Sequence, residues 1–372
     1  MTSRRHDVRS HRRDMVDLAG ELFAKGRIDR RTFLRCLTAL GAGAMVAGPA
    51  GRALAADKTI TVANFGGDAV KFMGEAWGAP FTAASGVNVV FDGAGPLPGN
   101  IKKMVDEKNV IWDVSDGDGF YADQLGKAGY LEPIDYSVVS KDKLHDWMIW
   151  EHGVANYAFS YVLAYRKSKY PTPPTSWADL FDTEKFPGKR TMWKWLGGVP
   201  EVCMLGAGKA RDAIYPPDMD LIGTQVKALG DDLVLWETGG QSQQLFLDGE
   251  VDIGAIWNTR ASVLERDSGG DIGWIWTDHV LATGCWLVPK GAPDVATSMR
   301  FIASSQSAEQ QIMLLETLGN GPANPAADAL LTAEQKRINP MSHLDKSFIV
   351  NTPWYAEHYD DLLTEWLDLI SA

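Results

Sequence analysis

The chain has 372 residues, 45% of them hydrophobic, with 36 Lys and Arg against 48 Asp and Glu, a formal net charge of −12. Such an acidic body repels phosphate backbones and anionic lipid, which argues against nucleic acid or a charged membrane surface as partner. No Cys/His spacing suggests a metal site, because His145, His152, His279, His343 and His358 stand singly.

The first 55 residues read as a leader. Asp29-Arg30-Arg31-Thr32-Phe33-Leu34-Arg35 sets a twin arginine before a Phe-Leu pair, an apolar stretch runs from Cys36 to Ala47, and Ala53-Leu54-Ala55 offers a small-x-small cleavage site. This is the layout of a twin-arginine export signal. The apolar stretch is well short of the ~20 residues that span a bilayer, so no permanent anchor is expected. The expected product is a soluble periplasmic protein beginning near Ala56. Without the leader the chain carries 25 basic and 43 acidic residues, a net charge of −18. Its 317 residues exceed what one hydrophobic core comfortably organises, so two lobes are expected. Of the cysteines only Cys203 and Cys285 remain. They could pair in an oxidising compartment, although folding in the cytosol before export weighs against it.

Thr59 to Asn64 alternates into Phe65-Gly66-Gly67 and reads as a first strand and a glycine turn. A helix from about Ala69 to Ala84, a strand from Val87 to Phe91 and a helix from Asn100 to Asn109 follow. Trp112 to Ser115 is a third short strand, ending in Asp116-Gly117-Asp118-Gly119-Phe120-Tyr121, and a helix then runs to about Ala128. This alternation implies a mostly parallel, doubly wound sheet. His152 to Arg166 is aromatic-rich and reads as one or two strands. The proline cluster Tyr170 to Pro174 marks an expected crossing between lobes, and Ser176-Trp177-Ala178-Asp179 restarts the pattern as a capping box. A strand near Lys189 to Met192, helices over Glu201–Ala213 and Asp220–Leu229, and a short helix ending near Leu247 come next. Val251 to Trp257 is a buried strand that delivers Trp257, Asn258 and Arg260 at its carboxyl end, where an α/β sheet presents ligand sites. The same residues also suit a core strand with a half-buried Trp. Trp286 to Pro289 returns the chain to the first lobe. Helices over Val295–Ser304 and Ala308–Leu318 follow, then a second crossing at Gly319 to Pro325 and a tail helix over Ala356–Leu369.

Several pieces, in this order and spacing, resemble the spermidine/putrescine (polyamine)-binding branch of the bacterial extracellular solute-binding proteins of ABC transporters. They are the Phe65-Gly66-Gly67 turn, Tyr121-Ala122-Asp123-Gln124-Leu125, and Thr175-Ser176-Trp177-Ala178-Asp179-Leu180. Gly249-Glu250-Val251, Ile256-Trp257-Asn258 and Leu318-Gly319-Asn320-Gly321-Pro322 complete the set. The resemblance covers Asp57 to Ala372. It implies an α/β, two-lobed periplasmic-binding-protein fold of type II, each lobe a mixed, mostly parallel sheet flanked by helices, with an interlobe hinge. One lobe would be residues 56–167 plus 284–319, the other 168–283 plus 320–372. The implied protein is a monomer without cofactor or metal, closing on a small cationic or zwitterionic ligand and handing it to an inner-membrane ABC permease.

Carried over residue by residue, the resemblance puts Phe65 above the ligand, Phe120 and Tyr121 on an aromatic pair with Asp118 just before them, and Glu201 on an ammonium-binding carboxylate. It makes Trp257 the wall of the cleft. Trp193 and Trp195 are further candidates, with burial against neighbouring helices as the competing fate. Two positions depart from the pattern. Thr283-Gly284-Cys285-Trp286 stands where an acidic residue is expected, and Asn320 where an aromatic is expected. Carboxylates and aromatic faces suit an amine. Arg260 suits a carboxylate, and so points to a ligand with a cation at one end and an anion at the other, such as an ω-amino acid. Arg260 could instead pair with Glu201, Asp118 or a surface acid. An exported enzyme is the contrasting reading, but no Gly-x-Ser-x-Gly elbow, His-Glu-x-x-His or P-loop is present. A ferric-ion-binding relative is another, though no adjacent tyrosine pair supports it.

Overall fold

The computed structural model of the protein describes residues 58–371. The twin-arginine and cleavage-site readings fall on residues 1–55, outside the described residues.

The described chain forms two α/β lobes built on separate sheets. The smaller sheet is wholly parallel, in the order β2-β1-β3, with β1 at Thr59–Ala63, β2 at Asn88–Asp92 and β3 at Val114–Ser115. Between β1 and β2 run α1 (Asp68–Met73), a π-helical turn (Gly74–Gly78) and α2 (Ala79–Ser85), where one helix was expected. Pro80 gives the physical reason. It has no N–H and its ring crowds the preceding turn, which a widened turn relieves. Next come α3 (Pro98–Asp106) and α4 (Tyr121–Lys127).

The larger sheet is mixed, in the order β10-β8-β4-β7-β5-β6. Its elements begin with β4 (Val154–Arg166), α5 (Ala178–Phe181), β5 (Arg190–Trp193), α6 (Val199–Gly206), α7 (Met219–Leu229) and β6 (Leu233–Trp236). Then follow α8 (Gly239–Leu247), β7 (Ile253–Trp257), α9 (Asn258–Asp267) and β8 (Ile272–Trp286). The chain continues with α10 (Val295–Ser304), α11 (Ala308–Leu318), β9 (Gly321–Pro322), α12 (Ala333–Ile338), β10 (Phe348–Ile349) and α13 (Thr352–Ser371). β6, α9 and most of β8 were not expected from the sequence.

The long strands place the site. β4 pairs antiparallel with β8 from Val154↔Trp286 to Arg166↔Ile272, so both extend beyond the larger sheet. At its far end β8 reaches the smaller lobe, where Gly284 bridges to Asp118 and Leu287, just past the strand, bridges to Ser115. β9 lies on β4 at Tyr157↔Pro322. Three strands therefore run side by side where the lobes meet. Buried aromatic pairs fill the smaller lobe's core, among them Trp77–Trp286 at 5.1 Å and Phe81–Phe301 at 5.5 Å between ring centroids. Helix α13 is tied to the larger lobe by Trp366, whose Nε1 donates to the Lys194 carbonyl at 2.7 Å. Cys203 and Cys285 are both buried and free. Among the described residues no helix is long and apolar enough to cross a membrane.

Candidate functional site

A cavity lies between the lobes. The loop after β3 supplies its carboxylates. In extended backbone Asp116 and Asp118 share one face, two residues apart, while Gly117 and Gly119 face backwards. A Cβ at Gly117 would lie 2.8 Å from the Tyr121 ring, and one at Gly119 would lie 2.4 Å from Thr283 Oγ1. The alternating Asp-Gly-Asp-Gly sequence thus lets the loop lie flush against β8, with the Gly119 N–H donating to the Thr283 carbonyl and the Cys285 N–H to the Gly117 carbonyl.

Asp116 is fully buried and accepts hydrogen bonds from Asn156 Nδ2 at 2.9 Å, Tyr157 Oη at 2.8 Å and the Gly117 N–H at 3.0 Å. Burial nevertheless pushes its carboxyl up to about 7, against the opposing pull of those donors. The Asp118 carboxylate opens onto the cavity and, among the described residues, has no hydrogen-bond or ion-pair partner. Burial, and then the charge of Asp116, push it up to about 7 as well. No cation lies within ion-pair distance of either carboxylate among the described residues.

Aromatic rings make up the walls. Trp257, at the end of β7, has Trp236 at 4.8 Å, Trp193 at 5.0 Å, Phe159 at 6.1 Å and Tyr161 at 6.4 Å between centroids. Phe65 meets Trp257 edge-on at 6.2 Å, so the two lobes touch across the cavity. The Phe65-Gly66-Gly67 turn holds Phe65 there. Gly66 has φ 75°, and a Cβ would lie 2.8 Å from the Gly93 carbonyl oxygen. Trp193, Trp195, Tyr121 and Tyr359 complete the aromatic lining.

Arg260 stands in the first turn of α9 and also lines the cavity. It is 5% exposed, its Nε has no partner, and no acid lies within ion-pair distance of it among the described residues. Burial pulls its pKa below the ordinary guanidinium value, opposed by the more distant charge of Asp68. Its guanidinium lies on Gly239, where a Cβ would fall 2.3 Å from Nε. Gly239 opens α8, so the cation is held beside two helix N-termini, each of them an electropositive end. The pairing of Arg260 with Glu201, Asp118 or a surface acid, open from the sequence, does not occur among the described residues.

Of the residues singled out from the sequence, Phe65, Asp118, Tyr121, Trp193, Trp195, Trp257 and Arg260 line this cavity. Glu201 and Phe120 do not. Glu201 is fully buried and accepts from Tyr215 Oη and, at 3.0 Å, from Tyr355 Oη, so it ties α6 to α13. Phe120 packs behind Tyr121 against Tyr355 and Tyr359, with centroids 5.3 and 4.8 Å away. Sequence reasoning missed Asp116, treated as part of a solvated loop, and Tyr157, Phe159 and Tyr161. The signal for the last three was their period-two spacing, which puts all three on one face of β4. Asn258 proves to be a brace. Its Oδ1 accepts from the Ser160 N–H at 2.8 Å and its Nδ2 donates to the Gly319 carbonyl at 2.7 Å, joining β4, α9 and the crossing after α11. Asn320 lines the cavity where an aromatic was expected. The expected acid before the returning strand has no room at Gly284, since a Cβ there would come within 2.4 Å of Asn156 Oδ1.

Among the described residues, no group of three or more His, Cys, Asp or Glu side chains is placed to hold a metal ion. The arrangement therefore offers an aromatic box with unpaired carboxylate on one side and an unpaired guanidinium on the other.

The chain is similar to several known solute-binding proteins. The γ-aminobutyric acid-binding protein of Pseudomonas aeruginosa is 27% identical over 330 residues, covering 84% of this chain and 91% of that protein. The spermidine/putrescine-binding periplasmic protein of Escherichia coli is 22% identical over 311 residues, covering 76% of this chain and 86% of that protein. A solved GABA receptor superposes with a TM-score of 0.78 at 33% identity, covering 84% of this chain and 97% of its own. The periplasmic binding protein AgtB of Agrobacterium tumefaciens, in complex with agropinic acid, gives 0.77 at 29% identity, covering 85% and 99%. Residues 76–339 match the family described as bacterial extracellular solute-binding protein, and with the two-lobed fold and its interlobe cavity this places the chain in that family.

Proposed function

We propose that this protein is the substrate-binding component of an ABC importer and that its ligand is a zwitterionic ω-amino acid of the γ-aminobutyrate class. The single observation that carries this reading is the pair of unpaired charges in one aromatic cavity, Asp118 in the smaller lobe and Arg260 in the larger. An ammonium placed at Asp118, with Asp116 behind it, makes charge-assisted hydrogen bonds, and the aromatic walls add cation–π attraction. A carboxylate at Arg260 meets a planar fork of donors next to helix N-termini. The two ends bind different lobes, so the ligand stabilises the closed form through contacts that an open form cannot make. Relatives that bear the names of γ-aminobutyrate-binding proteins support the same class.

The Asp116–Asp118 pair also favours a polyamine, as the name of the Escherichia coli relative suggests. A polyamine leaves Arg260 facing a second cation, which costs rather than gains. Titration calorimetry with γ-aminobutyrate, 5-aminovalerate, putrescine and spermidine decides between them. The expected order puts the two amino acids tightest. Tight spermidine binding without binding of either amino acid would overturn the zwitterion reading.

The remaining parts of the proposal concern the chain as a whole. It is exported through the twin-arginine pathway, loses residues 1–55, acts as a monomer in the periplasm without catalysing a reaction, and delivers its ligand to an inner-membrane permease. The lobe boundaries at 283/284 and 319/320 are proposed unchanged, and the one at 167/168 is moved. The pairing of β4 with β8 and β9 supports placing the first crossing within β4, near Tyr157 and Ala158, ahead of the proline cluster.

Glu201 has no place in ligand recognition on this reading. Glu201→Gln is expected to change affinity for γ-aminobutyrate by less than about 3-fold and stability by no more than about 1 kcal/mol, because both tyrosine hydroxyls keep an amide partner. Calorimetry and a thermal melt on the variant check both numbers. A loss of binding beyond 10-fold at unchanged stability would return Glu201 to the ligand site.

A further inference from the structure

A second, smaller cavity adjoins the first. Asp118, Phe159, Tyr161 and Gly197 border both, so the two share the carboxylate that takes the ammonium in the proposed function. The backbone between them is drawn in tightly. Gly198 has φ 78°, and a Cβ there would sit 2.3 Å from the Tyr161 ring, so the chain lies flat on that tyrosine. A Cβ at Gly197 would still be 3.8 Å from Asp118 Oδ2.

The far side of this second space is chemically distinctive. Phe120, Phe159, Tyr161 and Tyr355 enclose it, each less than a tenth exposed. Two hydroxyls at its border, Thr283 Oγ1 and Thr352 Oγ1, make no hydrogen bond among the described residues. A primary ammonium is compact and has three donors, which Asp118 and its surroundings satisfy at the mouth. The space beyond suits a larger, flat cation with more donors and a face that stacks on aromatic rings. A guanidinium has that shape and five N–H donors.

We propose that the second cavity is a headgroup subsite for a guanidinium, so that the protein binds ω-guanidino acids more tightly than the corresponding ω-amino acids. This rests on the proposed function for the carboxylate end at Arg260 and adds to it a specificity determinant at the cationic end. The guanidinium pairs with Asp118, lies between the aromatic rings, and donates its outer N–H groups to Thr283 and Thr352. Ala282, opposite Phe159 in the β4–β8 ladder, sets the volume of the subsite and lies outside the larger cavity.

Calorimetry on the purified protein with γ-aminobutyrate, 4-guanidinobutyrate and 4-(trimethylammonio)butyrate tests the subsite. The expected result is 4-guanidinobutyrate binding at least about 10-fold tighter than γ-aminobutyrate, with the trimethylammonio compound, which cannot donate hydrogen bonds, weaker than both. Ala282→Leu should remove the guanidino advantage and leave γ-aminobutyrate within about 2-fold. Should that variant fail to fold, Thr283→Val, which keeps the shape and removes one acceptor, should cost 4-guanidinobutyrate alone about 5-fold. Binding of γ-aminobutyrate together with weaker binding of 4-guanidinobutyrate overturns the subsite and leaves the proposed function standing. A guanidino advantage that survives both variants overturns it too. Failure of both acids to bind, with putrescine bound tightly, defeats the proposed function and the subsite with it.

Discussion

Replacing Arg260 by methionine is expected to weaken γ-aminobutyrate binding by at least about 100-fold while raising the melting temperature of the ligand-free protein. The two effects have opposite signs because the guanidinium has no partner until a ligand arrives. Its Nε is buried without a hydrogen bond, and no acid stands within ion-pair distance of it among the described residues. A buried, unmatched charge destabilises the empty protein, and the electropositive ends of α8 and α9 beside it add to that cost. Methionine fills a similar volume without the charge, so the empty protein gains on the order of 1–3 kcal/mol. Losing one member of a buried charge pair with the ligand costs about 2–5 kcal/mol of binding, which sets the scale of the affinity loss. Putrescine, which has no carboxylate, should bind the variant at least as well as the wild type. Calorimetry with both ligands and a thermal melt make the measurement. A variant that melts lower and binds γ-aminobutyrate normally would show that Arg260 is a structural brace.

Much of this arrangement could be read from residue types and order, because the chemistry is attached to turns and strand ends. Phe65 follows a glycine turn, Asp118 follows a short strand, and Trp257 and Arg260 follow a buried one. In an α/β sheet, strand ends of this kind converge on the ligand crevice. Glu201 shows where that logic stops. It lies in the first turn of α6, just after Gly198, and one residue of helical rotation decides whether a side chain faces the cavity or the core. Here it faces Tyr215 and Tyr355, two partners far along the chain that no local pattern links to it. β8 was hidden for a different reason. Asp278 adopts φ 49° within it, the register against β4 shifts between Tyr161 and Leu163, and the strand alternation is broken at its middle. α9 escaped notice because it starts directly after Trp257 with no side-chain cap. The aromatic face of β4 was visible as a spacing. Its place at the cavity depends on the crossing of the lobes, which is set by pairing with β8 and β9.

The ligand-free protein is also expected to lose stability as pH rises from 5 to 8, and Asp118→Asn should remove about half of that loss, the rest staying with Asp116. Asp116 and Asp118 both titrate near 7 in the folded protein, above the ordinary carboxylate value of 3.8. A folded state that holds its protons more tightly than the unfolded chain is favoured at low pH, and that advantage disappears as pH rises through the folded value. Carboxylates held below their usual range, such as Asp179 and Asp294, act in the opposite direction, but their contribution is complete by pH 5. His279, pulled down to about 4 by burial, also acts in the opposite direction as pH rises toward 6.5. Both effects are common to wild type and variant and cancel in the difference between them. That difference should amount to roughly 5–10 °C in melting temperature between pH 5 and 8, corresponding to a few kcal/mol. An ammonium ligand reverses the sense, because it favours the ionised carboxylates. Affinity for γ-aminobutyrate should therefore rise by about 10-fold or more between pH 5.5 and 8 in the wild type. Asp118→Asn should bind weakly across the whole range, with that rise much reduced. Equal pH slopes in wild type and variant would show that the amine does not meet Asp118, and the cationic end of the ligand would have to be sought on the aromatic walls alone.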